Sequence, residues 1–346
     1  MKKRTTALLL ATAALILDSR CAASAAGEAL ALCGKVLIPS LFPLLVVGGM
    51  LVPNLRGIPL PFLARLLGLP KGGEGILLLG CAGGFPVGAA CICQAVRDGA
   101  ATRRDAQRML GLCSFCGPAF LFGVLPSVLP MRWVIALFVL QLETGLLLTA
   151  FWPHRSAGAL QPSGKPVTLM EAVQNAVNSM ISICAWVTIA GVAAGFLRRW
   201  LFPLLPPAAA VILTGLLELT NGIFALRSVT PSQAFVLCAV FVCFGGISVL
   251  LQIGGLAAGA GLRMGQCILQ KAVHGILGAV TAAAFLHFGP GILFLPPAVL
   301  LAKIVLEIPG HVVYNRHERK GFECCSAKRW SAPATTAAMV RRWMKI

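Results

Sequence analysis

Charge is what this sequence has least of, and negative charge least of all. Only 12% of its 346 residues are charged, and the Asp and Glu together number 11 against 29 Lys and Arg. A soluble domain carries about a quarter charged residues, so a water-exposed shell around a single core is excluded. Catalytic constellations are missing too: no Ser-His-Asp set, metal cluster or pair of carboxylates stands at usable spacing, which argues against an enzyme. Thirteen Cys are present, yet Cys113-Ser-Phe-Cys116 is a single CxxC with no second CxxC or His pair to complete a four-ligand zinc set. Cys91, Cys93, Cys184, Cys238, Cys243 and Cys267 lie inside apolar runs, where cysteine serves as a small hydrophobe. No metal and no cofactor is expected.

What is there is hydrophobic: 58% of the residues, with a mean hydropathy of +0.87. A spanning helix needs about 20 mostly apolar residues. Such runs lie near 7–22, 34–53, 110–129, 131–152, 178–197, 234–254, 268–288 and 291–308, which predicts eight spans in a polytopic membrane protein. The net charge of +18 does not point to nucleic acid, because the basic residues sit in short segments flanking apolar runs. They read as anchors at the lipid bilayer on the cytoplasmic side. The opening "MKKR" and the tail from Arg316 to Lys345 are both basic, so both termini are expected inside, and the span count is even. The opening also has the parts of a cleavable signal: Lys2, Lys3 and Arg4, the apolar "ALLLATAALIL" and the small-residue "CAASAA". In the tail, Cys324-Cys325 is a candidate for acylation.

Two apolar stretches do not read as plain spans. The segment "GCAGGFPVGAACICQAVRDG", Gly80 to Gly99, carries five glycines and a proline, and the segment near 205–226 is interrupted by Pro and polar residues. Non-helical backbone at membrane depth survives only where it is buried in protein or lines a watery cavity. Gly83, Gly84, Pro86 and Gly88 therefore read as a hairpin tip, and Glu218, Thr220 and Asn221 as a second one.

The two halves follow one order: a span, a broken segment, a link, and a span with an internal break. "FPVG" at Phe85–Gly88 faces "LTNG" at Leu219–Gly222, and "FCGPAFLFG" at Phe115–Gly123 faces "CFGGISVLL" at Cys243–Leu251. Basic residues place the first hairpin's opening inside, after which Arg97, Arg103, Arg104 and Arg108 follow. Counting onward puts the loop 153–168, with Arg155 and Lys165, inside, the second hairpin's opening outside, and Arg263 and Lys271 inside. Arg198 and Arg199 fall outside and run against the rule. Hairpins entering from opposite faces are the signature of an inverted-repeat transporter. The predicted architecture is an all-α polytopic membrane protein with about eight transmembrane helices and two re-entrant helical hairpins in an inverted repeat.

Ionisable residues within spans are rare and weigh heavily. Glu218 is expected to pair with a cation, take a proton or fix a turn. Glu143 reads either as a functional acid or as a hydrogen-bonded contact between helices. Lys271 and His274 lie at i, i+3, with snorkelling the plain account of Lys271. The breaks Cys116-Gly117-Pro118 and Phe244-Gly245-Gly246 expose helix ends whose N–H groups favour an anion. Ser248 and Gln252, one turn apart, add neutral hydrogen-bonding groups.

The stretches "SLFPLLVVGGML", "GGFPVGA", "LLELTNG" and "FGGISVLLQ" resemble those of the YlbJ-type sporulation integral membrane proteins. Those belong to the nucleoside-recognition (Gate) superfamily, which also includes concentrative nucleoside transporters. The resemblance runs over roughly residues 30–290 and implies a role in endospore formation, moving dipicolinic acid across the mother-cell-derived outer forespore membrane. It implies a substrate site of Gly84, Pro86, Gly88, Gly117, Pro118, Glu218, Thr220, Asn221, Gly222, Gly245, Gly246, Ser248 and Gln252. A nucleoside is an alternative solute, since Glu218, Thr220 and Asn221 also suit a ribose. A non-transporting sporulation scaffold working through the basic tail is the alternative of a different class.

On this reading the chain divides into an N-terminal transmembrane helix (1–30), a first Gate-like repeat (31–153) and a cytoplasmic linker (154–168). A second Gate-like repeat (169–289), a last transmembrane helix (290–312) and a basic cytoplasmic tail (313–346) complete it. The expected partners are a small anionic solute and the bilayer, and a homo-oligomer is compatible with the sequence.

Overall fold

The computed structural model describes residues 2–51, 61–153, 158–160 and 167–303. The basic tail, Cys324-Cys325, most of the linker with Arg155 and Lys165, and the end of the last expected span lie outside the described residues. Met1–Pro297 forms one compact unit and the chain from Ala298 a second; the candidate site lies within the first.

Every regular element among the described residues is a helix, apart from an isolated bridge between Lys71 and Ala159. Among the described residues four helices are long and apolar enough to cross a membrane: Met131–Phe151, Leu169–Leu204, Pro231–Gly259 and Gly265–Phe288. A bent pair at the N-terminus would make a fifth. In chain order the helices are α1 (Lys2–Leu17), α2 (Ser19–Leu32), α3 (Ile38–Leu51), α4 (Pro61–Leu67), α5 (Gly73–Gly83), α6 (Val87–Arg97), α7 (Arg103–Leu112) and α8 (Pro118–Val124). Then come α9 (Met131–Phe151), α10 (Leu169–Trp200), α11 (Pro207–Leu217), α12 (Leu219–Ala225), α13 (Pro231–Phe244), α14 (Gly246–Gly259) and α15 (Gly265–Phe288).

The helix starts are written in the sequence. Thr102 caps α7 by accepting from Asp105 N, and reciprocal capping boxes open α10 (Thr168 with Glu171) and α13 (Thr230 with Gln233, after Pro231). Each satisfies N–H groups that a helix start leaves bare. The expected single span at 7–22 is not one straight helix. Asp18 leaves helical geometry and caps α2, and the chain bends there by 92°. The run at 110–129 is likewise divided, because α7 ends at Leu112 and α8 starts only at Pro118.

Burial on α15 is inverted relative to a helix of a soluble bundle. On α15 the outward face carries Leu269, Ile276 and Val280, each more than half exposed, while Gln270, Lys271 and His274 are buried. Apolar outside and polar inside is the arrangement a lipid environment stabilises. The apolar core gathers α8, α9, α11, α12 and α13 around Phe235 and Phe241, with Phe235 between the rings of Trp133 and Phe285 at centroid distances of 5.1 and 5.3 Å.

The same order of elements occurs twice: a short helix pair, a broken helix, then a long helix. In the first half these are α5–α6, α7–α8 and α9; in the second, α11–α12, α13–α14 and α15. The stretches that faced one another in the sequence land on matching features, the tip of each short pair and the break of each following helix.

Candidate functional site

Both short pairs fold back on themselves through glycine. A methyl placed on Gly80 would lie 3.3 Å from the Cα of Gly88, and one on Gly222 would lie 2.9 Å from the backbone N of Gly215. Only a residue without Cβ permits backbones this close. These are two hairpins whose arms, of 11 and 11 residues and of 11 and 7, are each well short of the ~20 needed to span a bilayer.

The first tip is Gly84, Phe85 and Pro86. Gly84 has φ +74 and ends α5. It lies against the first break, where its added methyl would meet Gly117 N at 2.5 Å. That break, Cys113 to Gly117, is held open by side chains from two other helices. Gln141 on α9 receives the Cys116 N–H at 3.3 Å and donates to the Cys116 carbonyl at 2.8 Å. Lys271 on α15 donates to the Ser114 carbonyl at 2.9 Å. His274 contacts the Gln141 carbonyl at 3.0 Å and Thr144 Oγ1 at 3.2 Å through Nε2. A carbonyl only accepts, so Nε2 carries the proton. Buried backbone groups that lose helical partners are thus satisfied by side chains, as a low-dielectric interior requires.

The second tip is Glu218. It sits in extended geometry between α11 and α12, and its carboxylate accepts from Thr220 N at 3.0 Å and Asn221 N at 2.7 Å. Of the roles open to it in the sequence, the turn-fixing one is what its contacts display. The Thr220 and Asn221 N–H groups of this helix start are filled by Glu218 itself and do not stand open to a ligand. The second break is a pair of left-handed glycines, Gly245 (φ +89) and Gly246 (φ +84). That geometry costs any other L-residue about 1–2 kcal/mol per position.

These parts converge on one cavity of about 400 Å³, within the range typical of small-molecule sites, about 300–1,000 Å³. Of the residues expected at a substrate site, Gly84, Gly117, Glu218, Thr220, Ser248 and Gln252 line it. The other seven lie outside its lining. Pro86 and Pro118 start α6 and α8, and Gly88 packs on the Cys113 carbonyl. Asn221 caps with its backbone, Gly222 packs on Gly215, Gly245 faces the Phe85 ring, and Gly246 faces the carbonyls that end α11.

The rest of the wall is apolar: Phe85 and Phe120 from the first half, Val187 from α10, and Leu32, Val36, Leu37, Leu41 and Leu44 from the N-terminal helices. Val36 and Leu37 belong to a π-helical turn, Cys33–Leu37, that joins α2 to α3; such turns recur at functional sites. A cleft of about 650 Å³ beside α2 and the end of α10 is larger, but its Arg198 pairs with Glu28 at 3.4 Å and its Arg199 with Asp18 at 2.7 Å.

Two basic side chains behave otherwise than expected. Lys271 does not snorkel: it is 1% exposed. Arg108 is no loop anchor; it is buried on α7 and donates to the carbonyls of Leu67, Gly68 and Thr149. Among the described residues Glu143 makes no hydrogen bond between helices, and its Oε2 is buried without a partner there. Gln141, two residues earlier on α9, makes that contact instead. A glutamine inside an apolar run was the available signal, overshadowed by the formal charge beside it. Comparison with family models, curated proteins and solved structures finds no match to this chain.

Proposed function

We propose that this chain is a membrane transporter for a small anionic solute, with the 400 Å³ cavity as its binding site. The observation that carries the reading is convergence: both hairpin tips, through Gly84 and Glu218, and the first break and the helix after the second, through Gly117 and Ser248, bound a single cavity. Broken helices meeting at one pocket, mostly apolar with a few polar groups, in a lipid-facing bundle are the arrangement of secondary transporters. In this reading the two halves are an inverted repeat within about eight spans, both termini are cytoplasmic, and the protein sits in the mother-cell-derived outer forespore membrane.

An anionic solute is favoured by helix starts that carry no side-chain cap. The N-termini of α6, α8 and α14 have none, in contrast to α12. The N–H groups of Val87 in α6 and Phe120 in α8 turn back to the carbonyls of Gly84 and Gly117, so it is the positive end of the helix dipole that attracts negative charge. Ser248 and Gln252, 3.3 Å apart, supply neutral polar groups on the facing wall. Dipicolinate, the solute implied by the family resemblance, is a flat dianion that matches these groups.

The test is saturable binding of dipicolinate to the purified protein in detergent, with uridine as the competing candidate. Gln252→Ala should weaken binding by about tenfold or more, the scale of a lost hydrogen bond to a charged group. Asn221→Ala, off the cavity wall, should leave it within about twofold, below 0.5 kcal/mol. A folded wild type that binds neither solute ends this reading, and uridine binding without dipicolinate redirects it to nucleosides.

A further inference from the structure

Lys271 props the first break through the Ser114 carbonyl, a role that does not call for a charge. It is the one buried lysine among the described residues, at 1% exposure. Its single hydrogen-bond acceptor there is the Ser114 carbonyl at 2.9 Å, and the face of the Phe85 ring lies 4.7 Å from Nζ. No carboxylate among the described residues pairs with it. A buried ammonium so poorly compensated is costly to keep, because desolvation is offset only by one carbonyl, the negative end of α7 and a ring face. A backbone carbonyl at a break can be satisfied by a neutral donor, as Gln141 does for Cys116 in this same break.

The position of that charge matters. Phe85 lines the cavity, and Ser114 is two residues from Cys116, which also lines it. The ammonium therefore stands one side chain behind the wall that the first tip and first break form. Among the described residues the one ionisable carboxylate or amine in the lining itself is Glu218, whose two oxygens are each taken by a backbone N–H. Charge inside a low-dielectric bundle is weakly screened, so the field of Lys271 reaches the cavity through one ring.

We propose that Lys271 sets the charge preference of this cavity, drawing the anionic group of the solute toward the Phe85 wall. The inference rests on the cavity being a solute site. Lys271 would act as a specificity residue: it favours an anion without touching the neutral part of the ligand. An anion bound opposite it would in turn offset its burial, so the site is stabilised by its own substrate. Glu218, on the other wall, orients the solute by repelling the same group.

The experiment measures binding of three probes to the full-length protein in detergent: pyridine-2,6-dicarboxylate, its monoamide and its neutral diamide. Wild type should show affinity falling at each step, by about tenfold or more from dianion to diamide. Lys271→Met should lose that preference, weakening the dianion by about tenfold while the diamide stays within about twofold, and Lys271→Arg should keep it. Equal weakening of all three probes by Lys271→Met would mean a structural role and overturn the proposal. Should Lys271→Met fail to fold, the wild-type series decides: a flat or reversed order of affinities overturns it. A wild type that binds the probes regardless of charge sinks the role of Lys271 alone. Folded wild type that binds none of them removes the cavity reading and this proposal with it.

Discussion

The two hairpins solve one problem with different means. The first turns on Gly84 and lays both arms on backbone: methyls on Gly80 and Gly88 would strike the same Cys113 carbonyl, 3.0 and 2.9 Å from its carbon. The second turns on Glu218 and lays its arm on a ring, where a methyl on Gly215 would strike Phe241. The first tip has no side-chain cap, and its neighbouring break is propped by Gln141, Lys271 and, through Gln141, His274. At the second tip, by contrast, Glu218 supplies its own cap, and the break beside it is made by two glycines alone. One half therefore fixes its irregular backbone from outside and the other from within. The polar side chains of the cavity lining, Glu218, Thr220, Ser248 and Gln252, all come from the second half. The lesson is a division of labour: the first half supplies apolar wall, and every polar side chain of the lining comes from the second.

The largest effect should come from the first hairpin, which lies on backbone. Gly88→Ala places its Cβ inside the Cys113 carbonyl, 2.9 Å from the carbon and 3.0 Å from the Cα of Gly80, all of them backbone. Nothing there is the free end of a side chain, so the hairpin must lift from the break, at a cost of about 3 kcal/mol or more. Thermal unfolding in detergent should show a large drop in Tm, or no folded protein. Gly123→Ala, with no atom within 4 Å of its added methyl, serves as the control and should be near neutral. Equal Tm values for the two variants would mean that the first hairpin is not seated on Cys113.

A smaller effect is expected where side chains prop the first break. Gln141 is fully buried and satisfies both backbone groups of Cys116. Gln141→Leu keeps much of the shape and leaves an N–H and a carbonyl unpaired, each worth about 1–3 kcal/mol when buried. The variant should lose stability on that scale, while Gln252→Leu, which props no backbone, should lose affinity with little change in Tm. If both variants behave alike, the contrast between a propped and an unpropped break fails.

Much of this was legible in the sequence, and the reasons are local. A glycine pair with positive φ at 245–246, proline at the start of α8 and α11, and Thr-x-x-Glu or Thr-x-x-Gln before α10 and α13 each act within a few residues. The hairpin tips were legible too, since glycine and proline inside an apolar run leave few alternatives in lipid. Burial of long polar side chains was not. Lys271 and Arg108 sit near helix ends, where snorkelling and anchoring are the ordinary outcomes. Their true partners, Ser114, Leu67, Gly68 and Thr149, are 40 or more residues away in sequence. Those partners are backbone carbonyls, which every residue has, so no sequence pattern marks them. The bend at Asp18 was missed for a related reason: an aspartate ending an apolar run reads equally as the edge of a span and as the cap of the next helix.

The finest test concerns the half that caps itself. Glu218→Ala removes both acceptors at the start of α12, and a lost N-cap costs about 0.5–2 kcal/mol. Glu218→Gln keeps one carbonyl oxygen for a backbone N–H, so it should fall between wild type and alanine. Because α12 has only seven residues, that loss should appear as faster amide exchange over 219–225 before it appears in Tm, since local opening needs less energy than global unfolding. The first hairpin gives the internal reference: exchange over 87–97 should not change, its tip having no side-chain cap to lose. Were both hairpins to loosen together, the two tips would be one cooperative unit. The distinction between a half fixed from outside and a half fixed from within would then describe contacts only, not stability.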